Sequence, residues 1–484
     1  MASMFRWLDE RLDLRRAKRD LLDREVPARL TWWHTLGSAT FTVFLVQVIT
    51  GTTLATYYSA SPDHAYDSIQ YISRQVASGP LLRGIHHWGA SAMVVLLVAH
   101  MIRVFAVGAY KYPREVNWLL GVVLFLVVMG FSFTGYLLPW DQKAYWATAV
   151  GTNIAGTTPL LGGALVALLR GGTELGAATL ARFYAFHSLW LPLVFTVVVA
   201  LHIIVLIRQG IAARPRALET GAPPRTNDPA YPAFYREAYA ATKRGGMRFW
   251  PDILGKDAIV SAATVLLIVL LAALFGAPLE APADPTDTSY VPRPEWYFLP
   301  IYQLLKLVPG SLESVIAVGV PTAFLLVLFG LPFFDRGSTR NLLHRPVAMV
   351  SLAFILGGSG FLIGAAGRGP QAVGEEGVPL SSTQRAGRAL YQSQQCGGCH
   401  LIAGQGGEEG PDLTMVGLRH SAGWLHSFLE SPSRFHAESR MPAYGPPALT
   451  HQEIEELAQY LSSLRGRGET PPQFYDTFPP PRQP

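Results

Sequence analysis

Seven runs of about 20 apolar residues, each long enough to cross a hydrocarbon core of roughly 30 Å, leave this chain little choice of fold. They lie near 32–57, 82–107, 116–138, 183–207, 257–276, 313–333 and 347–365. Such runs cross as helices. Seven crossings is an odd number, so the two ends of the chain are expected on opposite sides of the membrane. Half of the residues are hydrophobic and only 15% are charged, a membrane composition.

The net charge of +5 does not point to nucleic acid, because the basic residues are distributed by side. About 23 Lys and Arg lie in the N-terminal segment and every second loop, against about 7 in the alternate loops. The positive-inside rule then predicts a cytoplasmic N-terminus and a C-terminal segment on the outer, periplasmic side of a bacterial cell membrane. Residues 1–31 lack the short apolar core of a cleavable signal peptide, so the first span is expected to direct insertion itself.

The expected class is all-α, a seven-transmembrane-helix bundle with a small soluble helical domain. A cytoplasmic segment (1–31) precedes four helices (32–210), a basic linker rich in Pro and Gly (211–252) and three more helices (253–366). A Gly-rich linker (367–382) leads to the soluble domain (383–470), with helices near Gln384–Gln395, Trp424–Glu430 and Gln452–Leu464, and a Pro-rich tail (471–484).

Polar residues inside a bilayer are costly and mark function. His86 and His100 lie on the second span, His187 and His202 on the fourth. Fourteen positions leave the first pair roughly 40° apart around a helix, and fifteen leave the second roughly 60° apart, with about 21 Å along each axis. Each helix thus offers one imidazole near each leaflet. Both spans run in the same direction, so the expected couples are His86 with His187 and His100 with His202, two bis-histidine sites suited to two b-type haems. His87 falls about 140° from His100 and is excluded. Gly37 and Gly51 on the first span, and Gly121 and Gly135 on the third, repeat the fourteen-residue spacing and would let a haem edge approach the backbone. Ordinary packing through small residues is the alternative. Arg83 and Arg103, just beyond His86 and His100, are placed to pair with haem propionates or to anchor the helix ends.

The chain has two cysteines, both in Cys396-Gly397-Gly398-Cys399-His400. A disulfide framework and any four-cysteine zinc or iron–sulfur site are excluded. The motif is the attachment signature of a c-type haem: two thioethers from Cys396 and Cys399, and an axial ligand from His400. A redox dithiol is the rival.

Between the fifth and sixth spans stands Pro294-Glu295-Trp296-Tyr297. This tetrapeptide resembles the quinol-oxidation motif of cytochrome b subunits of cytochrome bc complexes, and the resemblance covers nearly all of residues 30–365. The fifteen-residue spacing on the fourth span, Gly-Tyr-Leu-Leu-Pro-Trp-Asp-Gln at 135–142 and the seven-span count are similar to the b6-type branch, whose two pieces are here joined. One departure is Thr35, where that branch carries a Cys binding an extra haem. Thr35 cannot form the thioether, so no covalent haem is expected there, and a noncovalent one stays open.

The resemblance implies a Q-cycle with quinol and quinone as substrates. Glu295 would take a proton, with a plain surface Glu in a Pro-rich turn as the alternative, and Tyr297 and Tyr136 would orient the quinol oxygen or line the pocket. It also implies a separate Rieske iron–sulfur protein, since this chain has no ligand set for such a cluster, together with a soluble or membrane-bound cytochrome c or other acceptor, and a homodimer. Ser439-Arg440-Met441-Pro442 resembles the distal-ligand loop of small c-type cytochromes. Met441 is therefore the expected sixth ligand, with Met415 as its rival and His420, His426, His436 and His451 as surface residues. Expected cofactors are two haem b and one covalent haem c. The alternative is a di-haem membrane anchor of a quinone-linked dehydrogenase, which has no need of the Glu295 loop or a fused haem c. A haem–copper oxidase would need a copper-binding histidine cluster that the sequence does not offer.

Overall fold

The computed structural model describes residues 2–172, 174–218, 223–283, 293–367, 381–402, 405–407, 409–436 and 439–464. The expected linker at 367–382 lies almost wholly outside the described residues, as does the tail at 471–484. Among the described residues seven helices are long and apolar enough to cross a membrane: α1 (Trp32–Ala55), α2 (Gly79–Ala106), α3 (Glu115–Tyr136), α4 (Ala177–Gln209), α5 (Phe249–Phe275), α6 (Leu312–Phe334) and α7 (Pro346–Ala366). Each expected run falls on one of them. Two compact units result, Met1–Ala283 with Gly310–Gly358, and Asp284–Pro309 with Ser359–Pro484.

In the first unit α1 packs on α2, α5 packs on both, and α3 packs on α4 and α6. Large apolar side chains such as Leu189, Leu193, Val197 and Leu266 are exposed, as expected where lipid replaces a protein core. Helix α4 is longer than its apolar run because it starts at Ala177, and it contains a π-helical turn at Phe186–Trp190. After one residue, Leu191, comes Pro192. It has no N–H to donate and crowds the preceding turn, a strain that a wider turn relieves. A π turn takes in one extra residue. This accounts for fifteen residues between the histidines of α4 against fourteen on α2.

The basic segments meet at one end of this unit. Lys111, Tyr110 and Arg345 all bond to Asp335: Lys111 Nζ donates at 2.8 Å, Arg345 Nη2 donates at 2.9 Å, and the Tyr110 hydroxyl donates to Oδ2. Burial pushes the Lys111 ammonium down to about 8, although its bond to Asp335 works the other way. Burial alone would raise the Asp335 carboxyl, but the bonds from Lys111 and Tyr110 outweigh it and hold it below its usual range. The segment expected as a linker is folded here. It forms a helix at Tyr231–Lys243, and Tyr231 and Tyr235 are buried with Ala213 and Leu218. The Tyr235 hydroxyl accepts from Arg114 at 2.7 Å, and that of Tyr231 accepts from Arg340 at 3.1 Å. Strand β1 (Glu25–Val26) pairs antiparallel with β2 (Met247–Arg248), tying the N-terminal segment to the start of α5.

The second unit holds the Glu295 loop, the short helix Leu299–Lys306, and a helical domain built from α8 (Ser382–Ser393), α9 (Ala422–Glu430) and α10 (His451–Ser463). Its helix starts carry capping side chains: Ser381 with Gln384, Ser421, and Thr450 with Glu453. Helix α10 packs on α8 and α9 around Tyr391, Leu425, Leu429, Ile454 and Leu457. Strands β3 (Leu401–Ile402) and β4 (Gln405–Gly406) close a small hairpin after the Cys396–His400 motif.

Candidate functional site

The imidazoles of His86 on α2 and His187 on α4 face each other with ring centroids 6.2 Å apart. That separation is about twice the sum of a metal–imidazole bond of about 2 Å and the half-width of the ring. Each Nδ1 meets a threonine hydroxyl, Thr50 at 2.9 Å from His86 and Thr134 at 3.2 Å from His187. Both hydroxyls donate their own proton to a helix carbonyl at 2.8 Å, Thr50 to Val46 and Thr134 to Gly130. The threonine oxygens are therefore acceptors for Nδ1–H, and the His187 ring also meets the Phe131 backbone. This fixes the tautomer and leaves each Nε2 lone pair free for a metal.

The four glycines sort onto the four histidines. A Cβ on Gly51 would lie 3.0 Å from Cε1 of His86, and one on Gly135 would lie 2.5 Å from Cε1 of His187. At the second level the corresponding distances are 3.2 Å from Gly37 to His100 and 3.7 Å from Gly121 to His202. The approach that the missing side chains permit is thus to the imidazole rings themselves.

The level of His100 and His202 differs in its polar partners. The two rings interact electrostatically; no side chain bonds either Nδ1, that of His100 is buried without a partner, and the His202 ring meets only the Asn117 backbone. One turn beyond His100, Arg103 buries Nε and Nη2 with none either. Buried polar groups are nearly always satisfied, so two unpaired guanidinium nitrogens one turn from the unpaired Nδ1 of His100 fit an anionic, metal-bearing group such as a haem with its propionates. Arg83 at the other level is already engaged: it donates to the carbonyl of Ala277 at 2.9 Å and to that of Pro278. His87 stacks edge-on against Trp88. Thr35 is buried, and its hydroxyl donates to the carbonyl of Trp32 at 2.6 Å.

In the second unit, Glu295 sits half-buried in a turn closed by the Phe298 N–H on its carbonyl at 2.8 Å. Trp296, Tyr297 and Phe298 form a run of edge-on aromatic contacts leading into the helix Leu299–Lys306. Tyr136 belongs to the first unit, at the end of α3, with the Lys143 ammonium 5.6 Å from its ring centroid.

Cys396 and Cys399 flank a single turn of 3-10 helix and are not bridged to one another. Burial pushes the Cys396 thiol up. His400 is buried, its Nδ1 lies 2.9 Å from the carbonyl of Pro411, and a Cβ on Gly410 would reach within 2.6 Å of the ring. Nδ1 is the donor to that carbonyl, so Nε2 is left as the ligand atom. Met441 packs on the same apolar cluster as Cys396 and Tyr444. Thr50 and Thr134 escaped the sequence reading, although each immediately precedes one of the marked glycines.

The family described as Cytochrome b/b6/petB matches residues 21–210, that described as Cytochrome b(C-terminal)/b6/petD matches 282–376, and Cytochrome c matches 384–465. The menaquinol:cytochrome c reductase cytochrome b subunit of Geobacillus thermodenitrificans is 45% identical over 217 residues, 43% of this chain and 97% of that protein. Cytochrome b6 of Oltmannsiellopsis viridis is 42% identical over 212 residues, 44% of this chain and 99% of that protein. The solved structure of a hyperthermophilic respiratory Complex III is similar with a TM-score of 0.64 and 28% identity, over 75% of this chain and 91% of that one. The chain is a multi-pass membrane protein of the cytochrome b family, a cytochrome b of a bc- or b6f-type complex that carries the subunit IV-like region and a cytochrome c domain on one polypeptide.

Proposed function

We propose that this chain oxidises quinol in a proton-translocating Q-cycle, with His86/His187 and His100/His202 each holding one haem b, and Cys396, Cys399, His400 and Met441 holding one haem c. The facing imidazoles 6.2 Å apart carry this reading, and the Pro294–Tyr297 sequence motif supports it independently. The relatives' names supply the substrate class: menaquinol:cytochrome c reductase. When bound, the haems supply one-electron transfer between two levels of the membrane and outward from the cytochrome c domain.

The chain's own residues do the rest. Glu295 accepts a quinol proton and releases it towards water. Tyr297 and Tyr136 orient the quinol oxygens. Thr50 and Thr134 hold their imidazoles in the ligating tautomer, and the Pro411 carbonyl does the same for His400. Arg103 neutralises a propionate, with Arg83 as a second cation at the other level. A separate Rieske protein takes the other electron, a cytochrome c or similar acceptor follows haem c, and the complex is a homodimer. The N-terminus lies in the cytoplasm and the cytochrome c domain on the periplasmic side.

Pyridine haem quantification is expected to give two b haems and one c haem per chain; a b-only or a c-only result overturns the assignment. Glu295→Gln is expected to slow quinol oxidation by about 10²- to 10⁴-fold with the haem spectra unchanged, and unaltered turnover removes Glu295 from the proton path.

A further inference from the structure

Three side chains on the cytochrome c domain, remote in sequence from the Cys396–His400 motif, converge on one point. His426 and Glu430 are four residues apart on α9, hence on one face of that helix. His451 opens α10, which packs on α9. A nitrogen of each histidine and a carboxylate oxygen of Glu430 all lie within 4.8 Å of one another. Nδ1 of His451 is 2.8 Å from Oε1 of Glu430, and the His426 and His451 rings are nearly parallel, 14° apart in plane with centroids separated by 6.2 Å.

An exposed His–Glu ion pair contributes little by itself, and it would explain the 2.8 Å contact but not the third side chain. The two rings form an offset stack at the wide end of the usual range, and stacking alone leaves the Glu430 carboxylate unexplained. Donors bonded at about 2 Å in a tetrahedral site stand about 3.3 Å apart, so closure from within 4.8 Å asks the side chains to draw in by at most about 1.5 Å. His426 and Glu430 are half-buried and therefore partly ordered, while His451 is exposed and gives an ion access from water.

We infer that His426, Glu430 and His451 form a divalent transition-metal site, with Zn²⁺ as its occupant. Two imidazoles and one carboxylate form a three-ligand zinc set with a fourth position for water. Calcium and magnesium prefer oxygen donors throughout. The ion ties the end of α9 to the start of α10. It thereby closes the base of the segment 431–450, already held where the Tyr444 N–H donates to the Leu429 carbonyl at 2.9 Å.

The test is a Zn²⁺ titration of the metal-stripped full chain in detergent, with bound zinc counted by elemental analysis after dialysis and its ligands read at the zinc absorption edge. Wild type is expected to bind one zinc more than the double variant His426→Gln/His451→Gln. Glu430→Gln is expected to weaken that zinc by more than the roughly 10- to 100-fold typical of losing an outer-shell partner. The edge spectrum should show two imidazoles and one carboxylate. Unchanged c-type haem content in each variant verifies folding. Equal zinc stoichiometry and affinity in wild type and the folded double variant overturns the site.

Discussion

The two histidine levels are built from one module used twice, a glycine on one helix facing an imidazole on the next, yet they differ in what meets Nδ1. At His86 and His187 each Nδ1 is held by a threonine oxygen. At His100 and His202 no threonine meets the ring: His100 Nδ1 has no partner, His202 has only the Asn117 backbone, and Arg103 buries two unpaired nitrogens one turn from His100. A hydrogen bond from Nδ1–H makes the imidazole a stronger donor and favours the oxidised metal, whereas a buried cation favours the added electron. With the haems proposed above in place, the repeated scaffold would make two inequivalent redox sites, the His86/His187 level at the lower potential.

The strongest way to break the comparison is to remove one level. His187→Ala is expected to delete one of the two b-type haems and abolish quinol-driven electron transfer between levels, as haem quantification and reduction kinetics would show; two b haems retained would refute the pairing. Next come the glycines. Gly135→Ala forces a methyl to 2.5 Å from the His187 ring, while Gly121→Ala makes an ordinary contact at 3.7 Å. The first should cost about 1–3 kcal/mol of overpacking and lower haem occupancy at its level, and the second should be silent. Equal effects in b-haem content would undo the distinction.

Arg103→Gln should lower the potential of the His100/His202 level by roughly 60–130 mV, the equivalent of about 1.5–3 kcal/mol for a charged partner, and leave the other level in place. The smallest effect sharpens the comparison most. Thr134→Val should raise the potential of the His86/His187 level by about 40 mV, one hydrogen bond of about 1 kcal/mol.

Much of this was legible in the sequence because it rests on period and spacing. Apolar runs set the spans, and positions 86, 100, 187 and 202 set two levels. The π turn at Phe186–Trp190 was not legible, since it answers a conflict between Pro192 and the helix before it. Nor was the folded state of the basic segment: Tyr231 and Tyr235 are buried against Ala213 and Leu218, with Arg340 and Arg114 from distant parts of the chain bonding their hydroxyls. Thr50 and Thr134 look like ordinary helix threonines until the facing imidazoles are in place. The His426–Glu430–His451 cluster depends on α9 meeting α10, which no local pattern announces.

Redox titration of the b-type haems in the full chain, wild type beside Thr50→Val/Thr134→Val, tests the central claim most directly. Two one-electron components are predicted, of which the lower alone moves upward in the variant. A single component, or equal movement of both, would contradict the account.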